Sequence, residues 1–586
     1  MAVYRSDQAQ LTISAEAAPG GDPELNSGTL VGGSSDIDTT LSAEANAGDT
    51  QITVTDAEDV VVGDFIRIGG PDGAAATIGT DVTEEFEIRR IVHTSATDGA
   101  GTYYLDRPLA FYHASGDTVE EVSATNTTSN EFYSYITTVP GVYDSVTLPE
   151  FTPTIEPRYL LGTSSNRNFT TAYSGSQSFN GSLPSFVVVD ATPLRFPIGK
   201  MKTNPSAYLD SSDHTSELQT AAKKGDVWIN LKNNTNLDVG GYLHITDETG
   251  TAPSSTTAIT SGTNPEVVKV QSTTGSSTST MVQLSQPLRH DHAVDVNVQE
   301  VAASPYYTHT IAETFDLDTL TWNVLFRDSS ETAANDLQRR YIGGMVDSAT
   351  LSASEGGMLM MSYDSVPFLD MVHNQEDQTT VGTNLYNGDS TGSGMPRYAI
   401  MNKITSSDIS FPTTEPYYFS QGAFTLFGQE FARVRNVAIS ISNSAEPRYY
   451  ITPRFGRHRG PNEIREGRRA YSMACTVALP DTVASSATTV NSANEIFKQI
   501  LLEGNYGSGN GLQGFAITLT FTRGTNDTIT ITIPNDGTAA TGLNESGAFI
   551  LSAPYNVTGD PIVQVDLDIL FRNMKIEIVD SNGVYI

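Results

Sequence analysis

The chain has 586 residues, with 68 acidic against 33 basic side chains and a formal charge of −35. Apolar residues make up 38% and Tyr and Phe are abundant, which excludes an acidic disordered polymer. The single cysteine, Cys475, excludes an intrachain disulfide framework. No apolar run reaches the ~18 residues of a membrane helix, and the first residues lack an apolar signal core, so a soluble protein made without secretion, with no membrane partner, is expected. Only nine of the basic residues are lysine. Acidic excess with few lysines reads as adaptation to high salt, where a Debye length of ~3 Å at 1 M removes most of the self-repulsion.

Taken in order, residues 1–35 read as a polar arm of the kind that a neighbour orders. Residues 36–123 read as a small β module. Thr50 to Val54 alternates with period two, Gly63-Asp64 marks a turn before Phe65 to Ile68, and further strands follow at Phe86–Val92 and Thr102–Leu105. The module returns at 214–301. Gly48-Asp49 matches Gly225-Asp226, and Val62 to Ile68 matches Val239 to Ile245. Leu105 to Val122 matches Leu284 to Val301 without a gap, sharing Pro108/Pro287, Leu109/Leu288, His113/His292 and Val119/Val298. This is an internal duplication. The second copy interrupts a domain formed by 124–213 and 302–390, inserted at a loop that tolerates it.

Residues 391–586 read as a last domain. It carries a helix capped by Ser492 and Glu495 and stopped at Gly504, then strands at Phe515–Phe521, Thr528–Ile533, Ile562–Phe571 and Lys575–Val579. The expected class is mainly β, with antiparallel strands joined by Gly/Asn/Asp turns. One tetrapeptide occurs twice, Glu156-Pro157-Arg158-Tyr159 and Glu446-Pro447-Arg448-Tyr449. Each follows an apolar segment, Val146 to Leu148 and Val437 to Ile441.

No pattern carries catalysis. GxSxG, P-loop, HExxH and CxxC spacings are absent, so no enzyme activity, cofactor or metal is expected. His290-Asp291-His292 with Asp295 has the look of a ligand set, but its counterpart, Phe111-Tyr112-His113, lacks the first His and the Asp, which argues for a polar turn. Cys475, in an apolar strand, is expected as a buried side chain. The one dense basic run is Arg448, Arg454, Arg457, His458, Arg459, Arg465, Arg468 and Arg469. It fits phosphate contact, a socket for the acidic surface of a neighbouring subunit, or local ion pairs with Glu446, Glu463 and Glu466. Arginine in place of lysine favours fixed, bidentate carboxylate contacts, which copies of this acidic chain supply in abundance.

Several stretches resemble major tail tube proteins of long-tailed double-stranded DNA viruses. They are Tyr133 to Leu148, Pro149 to Arg167, Phe179-Asn180-Gly181-Ser182, Arg340 to Ser348 and Ser354-Glu355-Gly356-Gly357, with Gln10 to Asn26 similar to the arm that opens such proteins. The 36–123 module is similar to small β modules carried by viral tail proteins, and the acidity points to a virus of halophilic archaea. The resemblance implies a β-sandwich of two packed sheets with a flanking helix, six of which form a ring that stacks into a hollow tail. Two such domains per chain, 124–390 and 391–586, imply homotrimeric rings (the alternative is a homohexamer). Tape-measure, terminator and distal tail proteins would be partners at the tube ends. Duplex DNA would pass without specific binding, and the duplicated modules would project outward. The expected location is the virion tail, after assembly in host cytoplasm. Interface residues expected on this reading are Arg448, Arg454, Arg457, Arg459, Arg465, Arg468 and Arg469, with Arg158 and Arg167 at the first tetrapeptide. The competing reading is a β-modular viral fibre or surface adhesin that binds a host receptor or glycan.

Overall fold

A computed structural model describes residues 4–16, 37–46, 49, 51–57, 60, 65–69, 87–96, 98–105, 109, 112–122, 137–149, 152–158, 171–206, 214–222, 224, 228–249, 264–276, 279–285, 288–302, 305–328, 337–375, 409–410, 414–426, 429–430, 434–450, 460–478, 515–535, 547–556 and 563–585. The fold is mainly β. The chain opens with β1 (Tyr4–Ala15), then β2 (Asp38–Thr40), β3 (Gln51–Val54), β4 (Phe65–Ile68), β5 (Glu87–Thr94), β6 (Gly101–Leu105) and β7 (Thr118–Val122). Next come β8 (Thr137–Thr138), β9 (Val142–Tyr143), β10 (Thr152–Arg158), β11 (Thr171–Val187), a buried helical turn α1 (Thr192–Arg195) and β12 (Met201–Pro205). The second module holds β13 (Thr215–Glu217), β14 (Trp228–Leu231), β15 (Tyr242–Thr249), β16 (Glu266–Ser276), β17 (Ser279–Leu284) and β18 (Val296–Glu300). The body resumes with β19 (Tyr307–Ala312), β20 (Leu320–Asp328), β21 (Leu337–Gly344), β22 (Ser348–Ser354), β23 (Met360–Phe368) and β24 (Asp370–Gln375).

The remaining strands are β25 (Ile409–Ser410), β26 (Gly422–Leu426), β27 (Gln429–Glu430), β28 (Val434–Ser442), β29 (Glu446–Arg448), β30 (Glu463–Arg465) and β31 (Ala470–Ala478). The chain closes with β32 (Ile517–Gly524), β33 (Asp527–Ile533), β34 (Ala548–Ser552), β35 (Tyr555–Asn556), β36 (Gln564–Phe571) and β37 (Lys575–Asp580).

Outside the modules, these strands form one arrangement twice. In the first half, one sheet runs β24-β21-β20-β1-β8; in the second, β37-β33-β32-β26-β27. The other sheet runs β9-β11-β23-β22 in the first half and β28-β31-β36-β34 in the second. The corresponding strands also follow one another in the same order along the chain. Burial alternates as a half-covered sheet requires, for example Tyr471, Met473 and Cys475 inward between exposed neighbours on β31. The Cys475 thiol is buried, which pushes its pKa up to about 12.

The two sheets of the first half meet face to face through Trp322, Tyr341 and Phe368. The Trp322 and Phe368 rings lie 5.0 Å apart, edge to face. Gly181 lies under this contact: a Cβ there would come within 2.8 Å of the Trp322 ring, so the position has room for no side chain.

The halves are fused. β22 pairs with β28 over seven residues, from Ser348↔Ser442 to Ser354↔Asn436, joining the last strand of one half to the first strand of the other. β12 and β19 leave the first half and extend the second half's sheet by pairing β19 with β37. Buried Asn443 donates to the Pro197 and Val346 carbonyls at 2.9 Å each, tying the end of β28 to the first half.

The modules carry matching six-stranded sheets, β2-β7-β4-β5-β6-β3 and β13-β18-β15-β16-β17-β14. The matched residues occupy the same places. His113 bridges Ala45, and His292 bridges Ala222, through paired backbone hydrogen bonds. Each module closes its own apolar core, on Ile52, Ile66 and Ile68 in one and Ile229, Leu243 and Ile245 in the other.

One expectation needs adjusting. The opening arm is, over Tyr4–Ala15, an interior strand paired with β20 on one side and β8 on the other, with Leu11 and Ile13 buried. Its own chain orders it. The capped helix expected at 492–504 lies outside the described residues.

The junction of the halves is apolar on its inner face: Ala349, Leu351 and Ala353 stand opposite Ile441, Ile439 and Val437, all buried. Leu351→Ala is expected to lower the unfolding free energy by about 2–4 kcal/mol. Denaturant titration at molar salt measures it.

Candidate assembly interface

The fused junction defines what an unfused one would look like. At one end of the ten-stranded sheet, β34 is the last strand, its outer edge bridged by Phe515 at Ala548. At the other, the outer edge of β11 carries β10 along Thr171–Ser178 and residues 142–147 through Tyr143↔Phe186 and a bridge from Thr147 to Ser182. By position in the repeat, β34 and β35 correspond to β22, and residues 142–148 correspond to β28. Val146 and Leu148 then match Val437 and Ile439. The second pair is buried beneath β22, whereas the first is half-buried. Apolar side chains are exposed at both ends: Val142 is 61% exposed and Leu551 65%. Such end strands invite pairing with another chain.

The first three residues of the repeated tetrapeptide lie in matching hairpins. Glu156, Pro157 and Arg158 pair with Tyr173, Ala172 and Thr171; Glu446, Pro447 and Arg448 pair with Arg465, Ile464 and Glu463. Tyr449 of the second hairpin donates to the Gln177 carbonyl on β11, at 2.9 Å, so the second hairpin leans on the first.

The described arginines are spent partly within the chain. Arg448 contacts Glu446 at 2.7 Å and Arg465 contacts Glu463 at 3.0 Å. Both pairs are exposed and contribute little stability. Arg469 turns inward, donating to the Ile198 carbonyl and lying 3.7 Å from Glu313, so it fastens the hairpin root to the first half. Arg468 is exposed. Arg454, Arg457, Arg459 and Arg167 lie outside the described residues, and Arg158 is described only as strand backbone.

The histidine cluster is a buried joint between the second module and the body. Glu266 accepts hydrogen bonds from the backbone N–H groups of Arg289 and His290 and from the His292 ring at 2.8 Å. His290 donates to the Met201 carbonyl on β12 at 3.1 Å, Asp291 accepts from the Lys224 N–H, and Asp295 pairs with Lys232. Burial alone would raise the Glu266 carboxyl; the His292 hydrogen bond and the nearby His290 and Arg289 charges hold it below the usual range. Among the described residues, no group of three or more His, Cys, Asp or Glu is arranged to hold a metal ion. The sequence pointed at the histidines, but not at Glu266, which is brought beside them by the pairing of β16 with β17 and the Ser285 N–H to Lys269 carbonyl bond that prolongs it.

Residues 37–123 match the family model for the Rider domain of K1 capsule-specific polysaccharide lyase. The match spans the first module, whose strand order the second module repeats. No curated protein matches the chain.

Burial, then the neighbouring His292, pushes the His244 imidazole down to about 3, so it stays neutral in the fold and takes a proton on unfolding. Its stabilisation is complete above the ordinary histidine range near 6.5 and is lost as pH falls towards 3. By linkage this costs about 2 kcal/mol at pH 5. Hydrogen exchange of residues 214–301 in the full chain, followed from pH 7.5 to 5 at fixed molar salt, is expected to show falling protection. His244→Gln is expected to flatten that slope.

Proposed function

We propose that the chain is a structural protein of a viral tail, and that it polymerises as three-chain rings stacked into the hollow tube through which double-stranded DNA leaves the particle. The observation that carries this reading is the doubled two-sheet unit, joined end strand to first strand. Two units in tandem leave the chain with one free end of each kind, and the six-unit ring that the tail tube resemblance implies then takes three chains. A contact between unlike surfaces makes a ring when its rotation closes. The resemblance of Tyr133 to Arg167 and Arg340 to Ser348 to tail tube proteins supports the same reading.

The Rider match lends support to the broader class, a viral tail or fibre component, because the matched module belongs to an enzyme specific for a K1 capsule polysaccharide. It also favours the second reading, a fibre or adhesin whose modules touch a host surface. In the tube reading the modules decorate the outside, and the chain does no chemistry of its own.

The charge fits a conduit. Duplex DNA carries about one charge per ~1.7 Å of axis. A wall drawn from a chain of charge −35 repels it and prevents sticking. The arginines of the run 448–468 then serve contacts between subunits or rings rather than DNA.

Purified protein imaged by negative stain in molar salt is expected to show rings or hollow tubes. Arg457→Glu combined with Arg459→Glu is expected to abolish stacking while leaving the fold intact by circular dichroism. Solid fibres or dispersed single chains from the unmodified protein would instead favour the adhesin reading.

A further inference from the structure

We infer that neighbouring chains join by repeating the β22–β28 junction: the β34–β35 edge of one chain pairs antiparallel with residues 142–148 of the next. This deepens the ring reading and rests on it. The register follows from the two halves. Phe179 stands opposite Phe368, and Tyr471 opposite Phe571. Three residues on, Ser182 and Ala474 occupy the same place. Thr147 bridges Ser182 and Ala438 pairs with Ala474, so Thr147 corresponds to Ala438.

On the other side, Ser352 pairs with Met360, and Asn556 pairs with Gln564, in corresponding positions once the irregularity near Leu183 is passed. Asn556 therefore corresponds to Ser352. Ser352 pairs with Ala438 inside the chain, so Asn556 should pair with Thr147 between chains. The new ladder would cover half-buried Val146 and Leu148 as β22 covers Val437 and Ile439. It would also bury edge backbone that water otherwise solvates. The two edges differ, so the contact is head to tail, and each chain offers one of each.

The single native thiol is buried, so introduced cysteines report cleanly. A chain carrying Asn556→Cys and Thr147→Cys, oxidised mildly in molar salt, is expected to give a closed covalent trimer on non-reducing denaturing electrophoresis, reverting to monomer with reductant. Chains carrying one substitution each, mixed, are expected to stop at a dimer. Ser352→Cys with Ala438→Cys serves as the internal control, closing within one chain, because opposed strand positions suit disulfide geometry.

If light scattering shows three-chain particles and the control closes, yet the edge pair stays monomeric, the interface is wrong and the ring reading stands. Covalent ladders longer than three chains keep the edge pairing and overturn the closed trimer. Single chains at every salt concentration overturn both.

Discussion

The pairing of β22 with β28 is the constraint on which the rest depends. Strands Ser348–Ser354 and Val434–Ser442 come from different halves, yet they share seven paired residues and an inner face of Leu351 against Ile439. A one-residue slip would turn Leu351 and Ile439 outward and put serines into the core, so the register is strongly specified. That ladder turns two four-stranded sheets into a single wide one. It sets how the halves sit against each other, and the proposed ring repeats that junction between chains.

Polar contacts then lock positions that apolar packing leaves open. Asn443 is fully buried and satisfies two carbonyls of the first half from the end of a second-half strand. The Glu266 cluster does the same for the second module, joining it to β12 through His290. Groups of this kind are costly when left unsatisfied and therefore specify one arrangement.

Much of this organisation is legible in the sequence, unevenly. The module duplication is plain because Pro108/Pro287, Leu109/Leu288 and His113/His292 hold turn and core positions that admit few alternatives. The duplication of the halves shows only through the tetrapeptide at Glu156 and Glu446, since β-sandwich strands need little beyond alternation and diverge freely. The place of Tyr4–Ala15 is not legible. Its partner strand, Leu320–Asp328, lies some three hundred residues away, and alternation says that a strand has a buried face, not which strand lies beside it. The same limit hid the β22–β28 junction and with it the candidate interface. The arginine run stood out by composition, but Arg469 proves to be an internal fastener, because the Ile198 carbonyl and Glu313 reach it from the first half.

The central claim is that one chain contributes two equivalent units to a six-unit ring. A cryo-EM reconstruction of assembled tubes, processed without imposed symmetry, tests it most directly. The account predicts three chains per ring, six equivalent two-sheet units around the lumen, and a chain-to-chain junction that superimposes on the β22–β28 junction. Six whole chains in each ring, or a junction that leaves the β34 edge facing solvent, would contradict it.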